Sequence, residues 1–396
     1  MTDERDPPGR LVLPSLVLSR FATMPPTILT GLLLIDIGQT FGLTVGVAGQ
    51  IRTAAAITGV ATALLLGALS VRYKARTLLI SGLALLVIFV AGCTFAPSFE
   101  TLMILFSMTG LAGAVVGPMG FTIVADNFPP EDRANAIGWI IAGMSASNLI
   151  GAPIIGYISG FVGWRGAFLF FVLPVSVAGL LFSLKYLPRA PPNPRVAEAR
   201  VSLMEGFRGV LSNTSAIACL TGTALTLAAY QAMVLYAPSF YRERFLLSTR
   251  AASLMVIGSS IFFIAGTRLS SRLITRFGKK PLITFPTLMA GMFIMIYSNL
   301  PNLWMSVAAR FLGSIFTGVM ATAMSALTLE QVPRFRGTVM SLNQAAYNLG
   351  GALGAGVGGL VILSSGYGGL GFSHGVMMLA AMALFHFLAV DPSERK

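Results

Sequence analysis

Of the 396 residues, 55% are hydrophobic and only 10% are charged, with 27 Lys and Arg against 14 Asp and Glu. That balance excludes a string of soluble domains and any large extramembrane domain, and a basic surplus in so apolar a chain points to loops facing anionic lipid, not to nucleic acid. A bilayer core of about 30 Å takes roughly 20 apolar residues per helix, so twelve spans of about 33 residues each, connections included, use the whole chain.

Breaking the apolar runs at charges and at Pro/Gly clusters predicts spans over 11–35, 44–70, 77–96, 99–125, 136–160 and 166–187. A second set follows at 213–238, 251–268, 281–299, 303–328, 338–364 and 371–390. The run from Leu11 is too long for a signal-peptide core, and its flank mixes Asp3, Glu4 and Asp6 with Arg5 and Arg10, so it reads as the first span. Residues 1–187 are expected to form one six-helix bundle and 212–396 another. Between them, 188–211 reads as a cytoplasmic linker stiffened by Pro191, Pro192 and Pro194. With the amino terminus inside, twenty of the 27 Lys and Arg fall in cytoplasmic segments, while Arg165, Arg242, Arg244 and Arg250 fall outside. An even number of spans then places both termini in the cytoplasm, with the chain in a plasma (inner) membrane.

The halves repeat each other. A shift of 203 positions superposes Pro130 on Pro333, Arg133 on Arg336, Gly151 on Gly354, Gly156 on Gly359 and Gly163 on Gly366. A shift of 204 superposes Leu69 on Leu273, Arg72 on Arg276 and Arg76 on Lys280. Duplicated bundles around a midplane site are the architecture of many secondary transporters.

The loop after the second span, Gly67-Ala-Leu69-Ser-Val-Arg72-Tyr-Lys-Ala-Arg76, and its copy Leu273-Ile-Thr-Arg276-Phe-Gly278-Lys279-Lys280 resemble the first signature of the major facilitator superfamily. Val71 and Thr275 stand where that signature has its acid. In the fifth span, Gly151-Ala-Pro153-Ile-Ile-Gly156 resembles the family's antiporter signature, with Ala152 intervening between glycine and proline. The proline removes a helix hydrogen bond, and the glycines admit a close neighbour. The fourth-span arginine common in the family is absent, Phe106 standing four residues before Gly110. The resemblance extends over essentially the whole chain. It implies an all-α membrane fold of twelve helices in two pseudo-symmetric bundles, alternating access, gating loops at Gly67, Arg72, Arg76, Arg276, Gly278, Lys279 and Lys280, and a central cavity walled by spans one, four, seven and ten.

Ionisable residues within spans are costly and are functional candidates by default. Arg20 lies near mid-depth of the first span, and Arg52 and Arg310 lie seven to eight residues in from the outer side of the second and tenth. No Asp or Glu reaches comparable depth. Unpaired arginines in a cavity favour an anionic ligand, because the guanidinium grips carboxylate or phosphate with two parallel bonds. Arg20 and Arg310 are therefore the leading cavity residues, joined by Tyr230, Gln231 and Tyr236 in span seven and by Asn343, Gln344, Tyr347 and Asn348 in span eleven. Met108, Met119, Met320 and Met324 are candidates for an adaptable apolar wall. Asp36, at the outer end of the first span, is the remaining candidate proton site, since arginine does not titrate usefully.

Other chemistries find no support. Cys93 and Cys219 lie in separate apolar runs, and His374 and His386 are about 18 Å apart along one helix, so no metal site is expected. The glycine patterns at Gly354–Gly359 and Gly366–Gly371 follow no strand and are not nucleotide sites. No cofactor and no enzymatic activity are expected. The reading is a monomeric secondary transporter of a small organic solute. Proton-coupled export of drug-like or metabolic compounds is the first subtype, and an organic-anion carrier using the buried arginines is the alternative. From a different class, a non-transporting membrane receptor or scaffold is the third reading.

Overall fold

The computed structural model describes residues 10–188, 199–332 and 335–391. Among them the regular structure is helical: α1 (Val12–Ala22), α2 (Pro25–Leu32), α3 (Leu34–Phe41), α4 (Val45–Ala48), α5 (Gln50–Arg72), α6 (Ala75–Thr94), α7 (Phe99–Asn127), α8 (Pro130–Ala167) and α9 (Leu173–Tyr186) in the first half. The second half holds α11 (Thr214–Phe245), α12 (Thr249–Phe277), α13 (Lys279–Tyr297), α14 (Leu303–Glu330) and α15 (Arg336–Phe387), with α10 (Ala199–Leu211) leading into it. Helix is what a bilayer permits, since each backbone N–H and C=O must find its partner within the segment.

Ten helical runs among the described residues are long and apolar enough to cross a membrane. Two of them, Asn135–Tyr186 with 52 residues and Leu342–Phe387 with 46, are more than twice the length one crossing needs. Each is interrupted by a glycine in a conformation no helix contains: Gly163 at φ 68°, ψ −173° and Gly366 at φ 64°, ψ −164°. These are the reversals that turn ten runs into twelve crossings. They stand 203 residues apart, so the two bundles repeat the same positive-φ turn at the same register.

Short polar turns set the helix starts. The side chains of Ser98, Asn213, Ser248 and Asn302 accept backbone N–H groups at the openings of α7, α11, α12 and α14. Where the second-half helices pack, small residues let backbones meet: a Cβ on Gly350 of α15 would stand 2.6 Å from the Ala224 carbonyl oxygen of α11.

Several predicted boundaries shift, the eighth span among them, since α12 runs on to Phe277. The first span, expected to be one run over 11–35, is broken into α1, α2 and α3, because Pro25 and Pro26 restart the helix and Leu33 leaves helical geometry at φ −109°, ψ 23°. The seventh span runs on to Phe245, carrying Arg242 and Arg244 on the helix instead of in a loop. Of the expected linker, residues 189–198 lie outside the described residues. Its remainder is α10, whose Val210 is fully buried with Ala216 of α11 and Val339 of α15.

Candidate functional site

A cavity of about 440 Å³ lies between the two bundles. Of the residues expected there, Arg20, Arg310, Tyr230, Gln231, Asn343, Gln344, Tyr347 and Asn348 all line it. Tyr236 does not. It is fully buried, packs against Gly49 and Gly358, and donates its hydroxyl to the Ala355 carbonyl at 2.7 Å. Tyr236 lies six residues beyond Tyr230, or about 120° around the helix from it, so one tyrosine faces the cavity while the other faces α15. Met320 and Met324 line the cavity and Met108 and Met119 do not.

Arg52 joins the wall as well. The family-based choice of four cavity spans had set it aside, but α5 presents Arg52, Ala55, Ala56 and Gly59 to the cavity at helical spacing. That small-residue stripe on the arginine's own face was the available sequence signal. Three arginines therefore share one cavity, and no carboxylate among the described residues lines it.

Their partners are neutral. Arg52 donates through Nη1 to the Thr27 carbonyl at 2.9 Å. Arg310 donates through Nε to Ser259 Oγ at 2.9 Å and through Nη1 to the Met233 carbonyl at 3.4 Å. Arg20 is the least satisfied, with the Gly113 carbonyl at 3.5 Å and the Met144 thioether at 3.3 Å. A guanidinium carries five N–H donors, so each arginine retains capacity for an anion. From the second half, Tyr347 faces the same cavity as Arg20 and Arg52. Gln231 donates to the Tyr347 hydroxyl at 3.1 Å, and Gln344 to Asn348 Oδ1 at 3.4 Å.

Asp36 sits outside the cavity, at the end of the molecule away from the start of α1 and the end of α15. Arg242 of α11 holds it with both terminal nitrogens, Nη2 standing 3.0 Å from Oδ1, and also donates to the Leu32 carbonyl at 3.3 Å. Other contacts between the halves gather at this end. Gln50 donates to the Gly356 carbonyl at 3.3 Å, and the Arg250 guanidinium lies 4.9 Å and 5.0 Å from the ring centres of Tyr157 and Phe161. Gly156 belongs to the same seam, where a Cβ would stand 3.0 Å from Ser253 of α12, and Gly151 one turn earlier faces Ile28 and Phe171. Pro153 lies within α8 between them.

The expected gating loops occupy the opposite end. Gly67 and Arg72 belong to the last turns of α5, and Gly278, at φ 76°, joins α12 to α13. Arg76 donates to the Leu187 carbonyl at 3.0 Å and the Leu184 carbonyl at 2.8 Å, binding α6 to the end of α9. Lys279 pairs with Glu330 and lies 3.9 Å from Asp391, within the second half. The Arg276 guanidinium lies over Phe277, and the Lys280 carbonyl accepts from Thr284. These contacts brace each bundle internally.

The sequence model described as the Major Facilitator Superfamily matches residues 16–285 and 243–396. The chain is similar to the uncharacterized MFS-type transporter YceJ of Bacillus subtilis (strain 168), 26% identical over 88% of this chain and 89% of the relative. It is also 25% identical to a probable 4-methylmuconolactone transporter of Cupriavidus pinatubonensis, over 88% and 82% of the two chains. Among solved structures, a D-xylose-proton symporter superposes with a TM-score of 0.78 at 16% identity, covering 96% of this chain and 98% of that one.

Proposed function

The chain belongs to the Major Facilitator Superfamily and is a multi-pass membrane transporter, not an enzyme, and from that premise we propose that it carries a small organic anion by alternating access. One observation carries this reading: Arg20, Arg52 and Arg310 line a single cavity that receives no carboxylate from the described residues. Buried cations are costly, and an anionic solute that accepts their free N–H groups offsets that cost while fixing its own orientation. Because Arg20 and Arg52 stand on one bundle and Arg310 on the other, one bound anion engages both, which links occupancy to the rocking of the halves. The name of the Cupriavidus relative supports a small organic metabolite as cargo. The excess of Lys and Arg at the end bearing the termini supports a cytoplasmic position for that end in a plasma or inner membrane, with the Asp36–Arg242 end outside.

A second reading, proton-coupled export of drug-like or metabolic compounds, draws on Asp36. Its carboxylate joins the two halves, and a proton on it would remove the charge that Arg242 holds. Thermal stabilisation of the purified protein separates the two, since a ligand that binds only the folded state raises stability by mass action. On the first reading, organic acids stabilise the native protein but not Arg20→Gln or Arg310→Gln. Stabilisation of native and variant proteins alike by lipophilic cations or neutral compounds overturns that reading in favour of the second.

A further inference from the structure

The two halves furnish the cavity unequally. The first half contributes Arg20 and Arg52 among very small neighbours, including Ala55, Ala56, Gly110 and Gly113. At Gly113, whose carbonyl receives Arg20, a Cβ would meet nothing within 4 Å, so the space beside the least satisfied guanidinium is open. The second half contributes the rings, Tyr230, Phe263, Phe293, Tyr297 and Tyr347, where the first supplies only Phe106. Tyr230 and Phe263 stack with centroids 5.5 Å apart and planes 29° from parallel. Two of the three guanidinium groups lie on one side of the cavity, and the flat aromatic surface lies on the other together with Arg310.

We infer that the cargo is a flat, unsaturated or aromatic carboxylate, its anionic end in the open space beside Arg20 and Arg52 and its ring against the Tyr230–Phe263 pair. This inference rests on the organic-anion reading and narrows it. Two features of one molecule then answer two walls on different bundles. A carboxylate without a ring leaves the aromatic wall unused, and an uncharged ring leaves the arginines unused. Stacked or edge-on ring pairs are stabilised beyond their buried area by an amount equivalent to about three- to tenfold in affinity. The cavity is of the size that encloses a small ligand.

The test compares benzoate, cyclohexanecarboxylate and benzamide as ligands of the full-length purified protein, read by thermal stabilisation across a concentration series. Binding is measured instead of uptake because the neutral forms of weak acids cross bilayers unaided. Benzoate is expected to bind about three- to tenfold more tightly than cyclohexanecarboxylate, which has the same charge but a puckered saturated ring, and at least tenfold more tightly than benzamide. Phe263→Leu should erase the preference between the two acids, and Gly113→Val should weaken both acids by filling the space at Arg20. Equal binding of the two acids by the native protein, abolished in Arg20→Gln, overturns this inference and leaves the anion carrier intact. Binding of benzamide with no binding of either acid overturns both. The native comparison alone decides the matter if Phe263→Leu fails to fold.

Discussion

Arg242, on the last turns of α11, grips Asp36 of α3 with both ends of its guanidinium and so joins two residues 206 positions apart in sequence. The same guanidinium also donates to the Leu32 carbonyl, at the break between α2 and α3. This clasp ties the fractured first span to the second bundle at the distal end. For that end to open, the clasp must come apart.

Asp36→Asn is therefore expected to loosen the distal end. The pair is partly solvated, with side-chain exposures of 13% for Arg242 and 32% for Asp36, so its loss should cost no more than about 1 kcal/mol of global stability. Access should change more. In a variant carrying Ser314→Cys on the cavity wall, an impermeant thiol reagent applied from the distal side should label several-fold faster when Asp36→Asn is added. Native Cys93 and Cys219 are fully buried and should not compete for the reagent. Unchanged labelling in that variant would remove the clasp from the transport cycle.

Arg20→Lys tests whether the charge or the forked geometry matters. Lysine keeps the cation but offers a point charge on a flexible stem. Acid binding should weaken about tenfold in Arg20→Lys and by roughly 10- to 100-fold in Arg20→Gln, the latter from loss of a charge-assisted hydrogen bond worth about 1.5–3 kcal/mol. Because Arg20 has only a long carbonyl contact and a thioether as partners, the unliganded melting temperature should barely move. A large fall in that temperature would make Arg20 a structural residue.

Two tyrosines should behave oppositely. Tyr236→Phe removes a buried hydroxyl bonded to the Ala355 carbonyl, so stability should fall by about 1 kcal/mol while ligand affinity holds. Tyr347→Phe removes a cavity hydroxyl on a side chain that is 37% exposed, so affinity should fall while stability holds. Melting curves with and without ligand read both quantities. A swap of the two effects would place Tyr236, not Tyr347, at the cargo.

Gly163→Ala and Gly366→Ala probe the repeated reversals. Neither glycine has an atom within 4 Å of where a Cβ would stand, so the cost is confined to the backbone, about 1–3 kcal/mol for positive φ with ψ near 180°, a region essentially reserved for glycine. The two losses should add in the double variant, since the sites lie in different bundles and share no contacts. Melting temperatures of the two single variants and the double variant check this, and strong non-additivity would mean that the two turns are coupled.

Much of the architecture was legible in the chain. Residues 135–186 and 342–387 are continuous apolar helix apart from one turn each, yet Gly163 and Gly366 could be matched from the 203-residue repeat alone. The arginines were legible as singular residues because charge is rare in spans. The fracture of the first span was foreshadowed by Pro25 and Pro26, although an apolar run conceals such breaks from hydropathy.

What the sequence determined by itself was the class of molecule, the number of crossings and the scarcity of buried acids. These are one-dimensional properties, because a bilayer obliges each segment to satisfy its own backbone and to be apolar along its length. What only the tertiary structure decided was which faces meet. Arg52 reaches the cavity while Tyr236 turns away from it, Asp36 finds Arg242 across the two bundles, and Lys279 braces its own half. In a span that is apolar on every side, periodicity does not mark the inward face. That choice falls to helix rotation and to close glycine contacts such as Gly350 against Ala224, where the backbones themselves set the register.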